Sequence, residues 1–134
     1  MPSFEKGQTF LDRKALDLYG TKPKYFIALT EAEDADDEII CFVMNTENMM
    51  NRYNFECNKK DLRFIIRPGT FQFIDRETSI MLNKEVYYTF EEICLDNIKL
   101  LDIADDLLLR QIKNCIDWDF MMLKTKRIIN QCFH

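Results

Sequence analysis

Basic and hydroxyl side chains gather at the ends of the most strand-like stretches of this sequence. Lys22 and Lys24 open the apolar run 24–30, and Asn45 and Thr46 close the run 39–44. Arg52 and Tyr53 lie in the polar stretch that follows, while Arg63, Arg67 and Arg76 surround Pro68–Gly69, with Thr78 and Ser79 behind. Lysine and arginine hold a phosphodiester by charge and by directed N–H groups. Held in that way, RNA can be cleaved through its own 2′-hydroxyl, with charge stabilisation standing in for a metal or an imidazole. A plainer reading stands beside it, because strands end in water and collect charge there for that reason alone.

Other chemistries find little support. There is no G-x-S-x-G, H-E-x-x-H or Walker sequence, and the one histidine is the terminal His134. Proton transfer would therefore fall to carboxylates, lysines or tyrosines. The five cysteines, Cys41, Cys57, Cys94, Cys115 and Cys132, include no C-x-x-C pair and sit mostly in apolar segments. They read as reduced thiols packed in the core, with neither a disulfide framework nor a structural zinc. No metal and no cofactor is expected. Met49–Met50, in a polar stretch, reads either as an exposed contact patch or as core filling, and Met121–Met122 as core.

These residues need elements to position them. A chain of 134 residues with 47% hydrophobic content fits one domain, and three glycines and three prolines leave no linker. Residues 24–30 and 39–44 read as strands buried on both sides, separated by 31–38, where six of eight residues are acids and demand water. Further short strands are expected at 8–11, 63–67, 70–74, 79–82 and 86–90, with a turn at Pro68–Gly69. From about 103 the period becomes helical. Ile103, Leu107, Leu108, Ile112 and Ile116 share a face, Asp102 is the expected N-cap, and a second helix runs from near Asp117 or Asp119 to about 131. The expectation is a mainly β fold with C-terminal helices, a small SH3-like β-barrel over about 7–92 closed by a helical pair over 103–131. The net charge of −5 runs against a protein built to grip long nucleic acid. No apolar run approaches the roughly 20 residues of a spanning helix, and the first ten residues carry no secretory pattern. No membrane partner and a cytoplasmic location are expected.

Taken in order, Gly7–Phe10, KYFIALT at 24–30, CFVMNT at 41–46, RPGTFQFIDRETSIM at 67–81 and the terminal helices resemble the MazF/PemK-like, CcdB-related toxin group of bacterial toxin–antitoxin systems, its PemK-like branch above all. Lys24 stands where the family carries an arginine before its first long strand, Thr46 matches its hydroxyl at the next strand end, and Asp75, Arg76, Thr78 and Ser79 fall in its third site region. The branch's P-G-D-H reads Pro68-Gly69-Thr70-Phe71 here. The resemblance implies an SH3-like barrel with C-terminal helices, usually a homodimer, that cleaves single-stranded RNA without a metal and is neutralised by an antitoxin.

Two functional readings follow. In the first, a toxin-like endoribonuclease, Lys24 holds the scissile phosphate, Thr46 stabilises or protonates, and Arg76 neutralises charge in the transition state. Lys22, Arg52, Arg67, Thr78 and Ser79 then bind the RNA. In the second, a non-catalytic module, the same barrel groove receives a peptide from a partner protein. Convergence of Lys24, Thr46 and Arg76 on one concave site separates the two.

Overall fold

The longest hairpin of the computed structural model, which describes residues 4–133, joins Gln8–Asp17 (β1) to Gly20–Ala28 (β2). His134, read above as the sole histidine, lies outside the described residues. Gly20, at φ +119°, follows the two turn residues Leu18 and Tyr19, a conformation that glycine adopts without a Cβ penalty. Glu38–Thr46 (β3) then pairs with β2, placing Phe26 beside Val43 and Ile27 beside Phe42. Glu56–Asn58 (β4), Arg63–Ile66 (β5), Thr78–Met81 (β6), Val86–Thr89 (β7) and Ile98–Ile103 (β8) complete an antiparallel sheet.

β6 and β7 both lie against β3. Met44 faces Ile80 and Cys41 faces Val86, so three steps along β3 match six along its partner. The surplus leaves the sheet as a turn at Leu82–Lys84, which divides β6 from β7.

The expected closed barrel is not formed. Strand order runs β4-β5-β6-β3-β2-β1-β8, and the end strands β4 and β8 do not pair. Residues 67–77, expected to supply a strand at 70–74, instead cross the gap as an irregular connection. The Gln72 N–H donates to Asp102 Oδ2 at 2.7 Å, and Phe73 stacks on Tyr25 with ring centroids 4.8 Å apart. β8, unanticipated in the sequence, includes Asp102 and Ile103, the expected N-cap and first stripe residue of the helix.

Strand alternation sorts the core onto two faces. Ile40, Phe42, Met44, Phe64 and Ile80 pack with Leu109, Ile112 and Ile116 of the helical region. Phe10, Phe26, Ile39, Cys41 and Val43 pack on the other face under Phe90–Ile93 (α1), with Tyr88 set edge-on to Phe10 and Phe26. Thr89 and Glu92 form a capping box at the start of α1.

The C-terminal helices are Asp106–Cys115 (α2) and Leu123–Cys132 (α3). Asp105, not Asp102, caps α2, its side chain accepting the Leu108 N–H at 2.8 Å. Leu109, Ile112 and Cys115 are the buried face, while Leu107 and Ile103 of the expected stripe are exposed. α3 is tied to the sheet by Lys124–Glu38 at 2.5 Å and by Thr125, which bonds the Tyr87 hydroxyl and donates to Glu85 Oε1. Among the described residues no helix is long and apolar enough to cross a membrane.

One cysteine expectation is overturned. Cys57 of β4 and Cys115 at the end of α2 form a disulfide. Pairing of β4 on the outer edge of β5 brings it against α2, joining positions 58 residues apart that no sequence spacing connects. Cys41 and Cys132 are buried free thiols, and Cys94 is exposed.

Candidate functional site

The face of the sheet under α1 opens into a groove of about 900 Å³. Phe26, Val43, Met81 and Val86 provide its apolar floor, and the projecting end of the β1–β2 hairpin provides one wall. Leu16, Leu18 and Tyr19 on that wall are 81%, 94% and 95% exposed, an uncommon cost for one short stretch to leave in water. Leu95 faces them from beyond α1.

The polar lining is predominantly basic. Lys14, Lys22, Lys24 and Lys84 line the groove against two acids, Asp12 and Glu92. Glu92 is engaged in the cap of α1, and its carboxylate accepts the Thr89 N–H at 2.9 Å. Asp12 is buried and accepts three donors: the Tyr88 hydroxyl at 2.7 Å, Asn97 Nδ2 at 2.8 Å and the Lys14 N–H at 2.9 Å. A one-residue register shift in β1 between Asp12 and Ala15 creates that last contact.

Tyr88 cannot serve as base or nucleophile at neutral pH. Burial, then the hydrogen bond and charge of Asp12, push its hydroxyl well above the usual tyrosine range. The groove therefore offers cations and apolar surface rather than a proton-transfer pair.

Of the residues read from the sequence, the groove gathers Lys22 and Lys24. Thr46 lies two positions after Met44 and so on the helix-packed side, opposite Lys24. Its cross-strand partner Thr78 is buried and donates to the Arg76 carbonyl at 2.9 Å, and Arg76 itself is exposed in the 67–77 connection. Lys24, Thr46 and Arg76 thus do not share a concavity. Arg52 is exposed in a short turn, and Arg67 covers the Phe55 ring at 3.9 Å.

Ser79 is fully buried and donates to Glu47 Oε2 at 2.6 Å. Arg63 Nη1 meets the same oxygen at 2.6 Å, and the Met49 N–H donates to Oε1 at 3.1 Å. Burial pushes the Glu47 carboxyl up, but Ser79, Met49 and Arg63 together outweigh it and hold the group below the usual carboxylate range.

Sequence reasoning missed Glu47, Asp12 and the hairpin wall. Glu47 sits in a stretch whose asparagines read as loop, and nothing local marks its partner 32 residues away. Leu16, Leu18 and Tyr19 did carry a signal, since they lie between two basic clusters around a glycine turn. Comparison with protein-family models, with curated proteins and with solved structures finds no match for this chain.

Proposed function

We propose that this chain is a non-catalytic binding module whose groove takes an extended, acidic segment of a partner protein bearing interleaved apolar residues. The observation that carries the reading is the wall of Leu16, Leu18 and Tyr19 standing beside Lys14, Lys24 and Lys84. Covering each of those apolar side chains is worth about 1.5–3 kcal/mol, enough to offset a large part of the cost of association. The lysines add selection by sign. They favour an acidic partner and disfavour another basic surface, and they do so from within a chain of net charge −5. The separation of Lys24 from Thr46 and Arg76 gives the endoribonuclease reading no assembled site to work with.

Selection of short random peptides displayed against the purified protein tests this. Enriched peptides should be rich in Asp and Glu alternating with Leu, Phe or Trp. Binding of one such peptide, followed by fluorescence anisotropy, should weaken about tenfold in Lys24→Glu/Lys84→Glu and also in Leu18→Ser, and fall as salt rises. Basic or neutral peptides, or binding indifferent to both variants, would refute the assignment. Cleavage of labelled single-stranded RNA that Thr46→Ala abolishes would transfer the function to the nuclease reading.

A further inference from the structure

Residues 47–58 run over the outside of β5 and are fastened mainly at their ends. Glu47 is buried in its hydrogen-bonded cluster, but no residue from Asn48 to Asn58 is buried. Between the ends, the segment rests on two stacked cations. Arg63 lies 4.4 Å from the Tyr53 ring centroid and Arg67 3.9 Å from that of Phe55. Such contacts are weak at exposed positions. β4 contributes only three residues of pairing at the edge of the sheet. Two non-glycine residues of this hairpin, Glu56 at φ +70° and Leu62 at φ +54°, hold left-handed conformations that side chains disfavour. The Cys57–Cys115 bond, immediately after Glu56, is therefore the covalent tie on the far end of the segment, added to the short β4–β5 pairing and to the Asn58 side chain, which bonds the Asn54 backbone. Its two residues differ in access, since Cys57 is exposed and Cys115 is fully buried.

We propose that Cys57–Cys115 is a lock on segment 47–58 that a small dithiol or a dithiol protein opens and an oxidant closes. A thiolate of the dithiol attacks Cys57 Sγ, the sulfur it can reach. The S–S bond breaks, and Cys115 Sγ leaves as thiolate and takes up a proton. The second thiol of the reductant, losing its proton, then attacks the mixed disulfide and releases Cys57, which is protonated in turn. The chain gains two electrons and two protons, and the dithiol becomes a disulfide. Freed from α2, β4 lets the left-handed turn at Glu56 relax and the segment leave Arg63 and Arg67. Arg63 stays paired with Glu47 at 2.6 Å, so opening uncovers the Tyr53 and Phe55 rings and releases Arg67.

The full chain, incubated with dithiothreitol in the absence of denaturant, then alkylated and exposed briefly to trypsin, tests the lock directly. Mass analysis should find Cys57 alkylated and buried Cys41 untouched, with cleavage after Arg52, Lys59 and Lys60 accelerated several-fold. Reoxidation should restore the original cleavage rate, and Cys57→Ser should show the fast rate without reductant. A bond that yields only after denaturant is added would overturn the proposal. So would alkylation of Cys41 in step with Cys57, the mark of a bond that holds the whole fold, or reduction that leaves cleavage after Arg52 unchanged. Peptide binding by the oxidised protein is unaffected by any of these outcomes, so the two readings fail separately.

Discussion

The Tyr88 hydroxyl donates to Asp12 Oδ2 at 2.7 Å, joining β7 to β1 beneath the groove. Asp12 is 5% exposed, so removing a donor leaves a carboxylate oxygen with less to replace lost water. Tyr88→Phe should lower stability by about 1.5–3 kcal/mol in urea unfolding, the range for a hydrogen bond to a charged group. The same pair sets a base limit. Below the ordinary tyrosine value of 10.0 both folded and unfolded chains keep the Tyr88 proton. Above it the unfolded chain loses the proton while the native chain retains it, so native stability falls as pH rises. Unfolding measured across that alkaline range should show a shallower decline in Tyr88→Phe than in the parent.

Glu47 sets the opposite limit. Its folded carboxyl titrates below the ordinary value of 4.5, so its stabilising contribution is complete above that value and is lost as pH falls through the folded one. Glu47→Gln should flatten the acid side of the stability profile. Glu47→Ala, which leaves Arg63 and Ser79 facing each other without their acceptor, should cost about 2–4 kcal/mol at neutral pH. An unchanged acid limb in Glu47→Gln would place the acid sensitivity elsewhere.

Gly7 is the tightest backbone position. It takes φ +89°, and an added Cβ would stand 2.9 Å from the Ala104 carbonyl oxygen and 3.0 Å from Leu109 Cδ1. Its N–H donates to the Ala28 carbonyl and its carbonyl accepts the Ala104 N–H, both at 2.8 Å, so the backbone cannot easily withdraw. Gly7→Ala should destabilise by about 2–4 kcal/mol, combining left-handed strain with overpacking. Gly20→Ala, with the same sign of φ but open space around it, should cost less. The two variants compared by thermal unfolding separate the contributions of strain and contact.

What the sequence revealed, and what it hid, follows from the range of the forces involved. The runs 24–30 and 39–44 are legible because continuous β-branched and aromatic residues have few alternatives to a buried strand, and both form in the structure. The helical period beyond 105 is legible for the same local reason. β8 was hidden because Ile103 continues the helical stripe of Leu107 and Ile112, and only pairing with β1 assigns it to a strand. Barrel closure was hidden because it depends on whether β4 and β8 meet, a property of the whole sheet. At the site, Lys22 and Lys24 were found by their charge, whereas Asp12 and Glu47 are defined by partners that only tertiary structure supplies. Alternation along β3 puts Thr46 and Asn45 on opposite faces, and only tertiary packing decides which of the two faces the groove.

The connection 67–77 does for this sheet what a further strand pairing does in a barrel. It leaves β5, places Phe71 in the helix-side core, stacks Phe73 between Phe71 and Tyr25, and reaches Asp102 at the end of β8 through the Gln72 N–H. Without it, one side of β2 and the approach to α2 would face water, because no strand covers them. Phe73→Ala removes the central ring of the stack and should cost about 2–3 kcal/mol, less than a fully buried phenylalanine because Phe73 is half-exposed. It should also speed tryptic cleavage after Arg67 and Arg76, while leaving peptide binding in the groove on the opposite face unchanged. Asp102→Ala removes one hydrogen bond and should cost about 1 kcal/mol in the same unfolding assay. If Phe73→Ala were as stable as the parent and equally resistant at Arg67, the sheet would be holding its curvature through twist and helix packing alone.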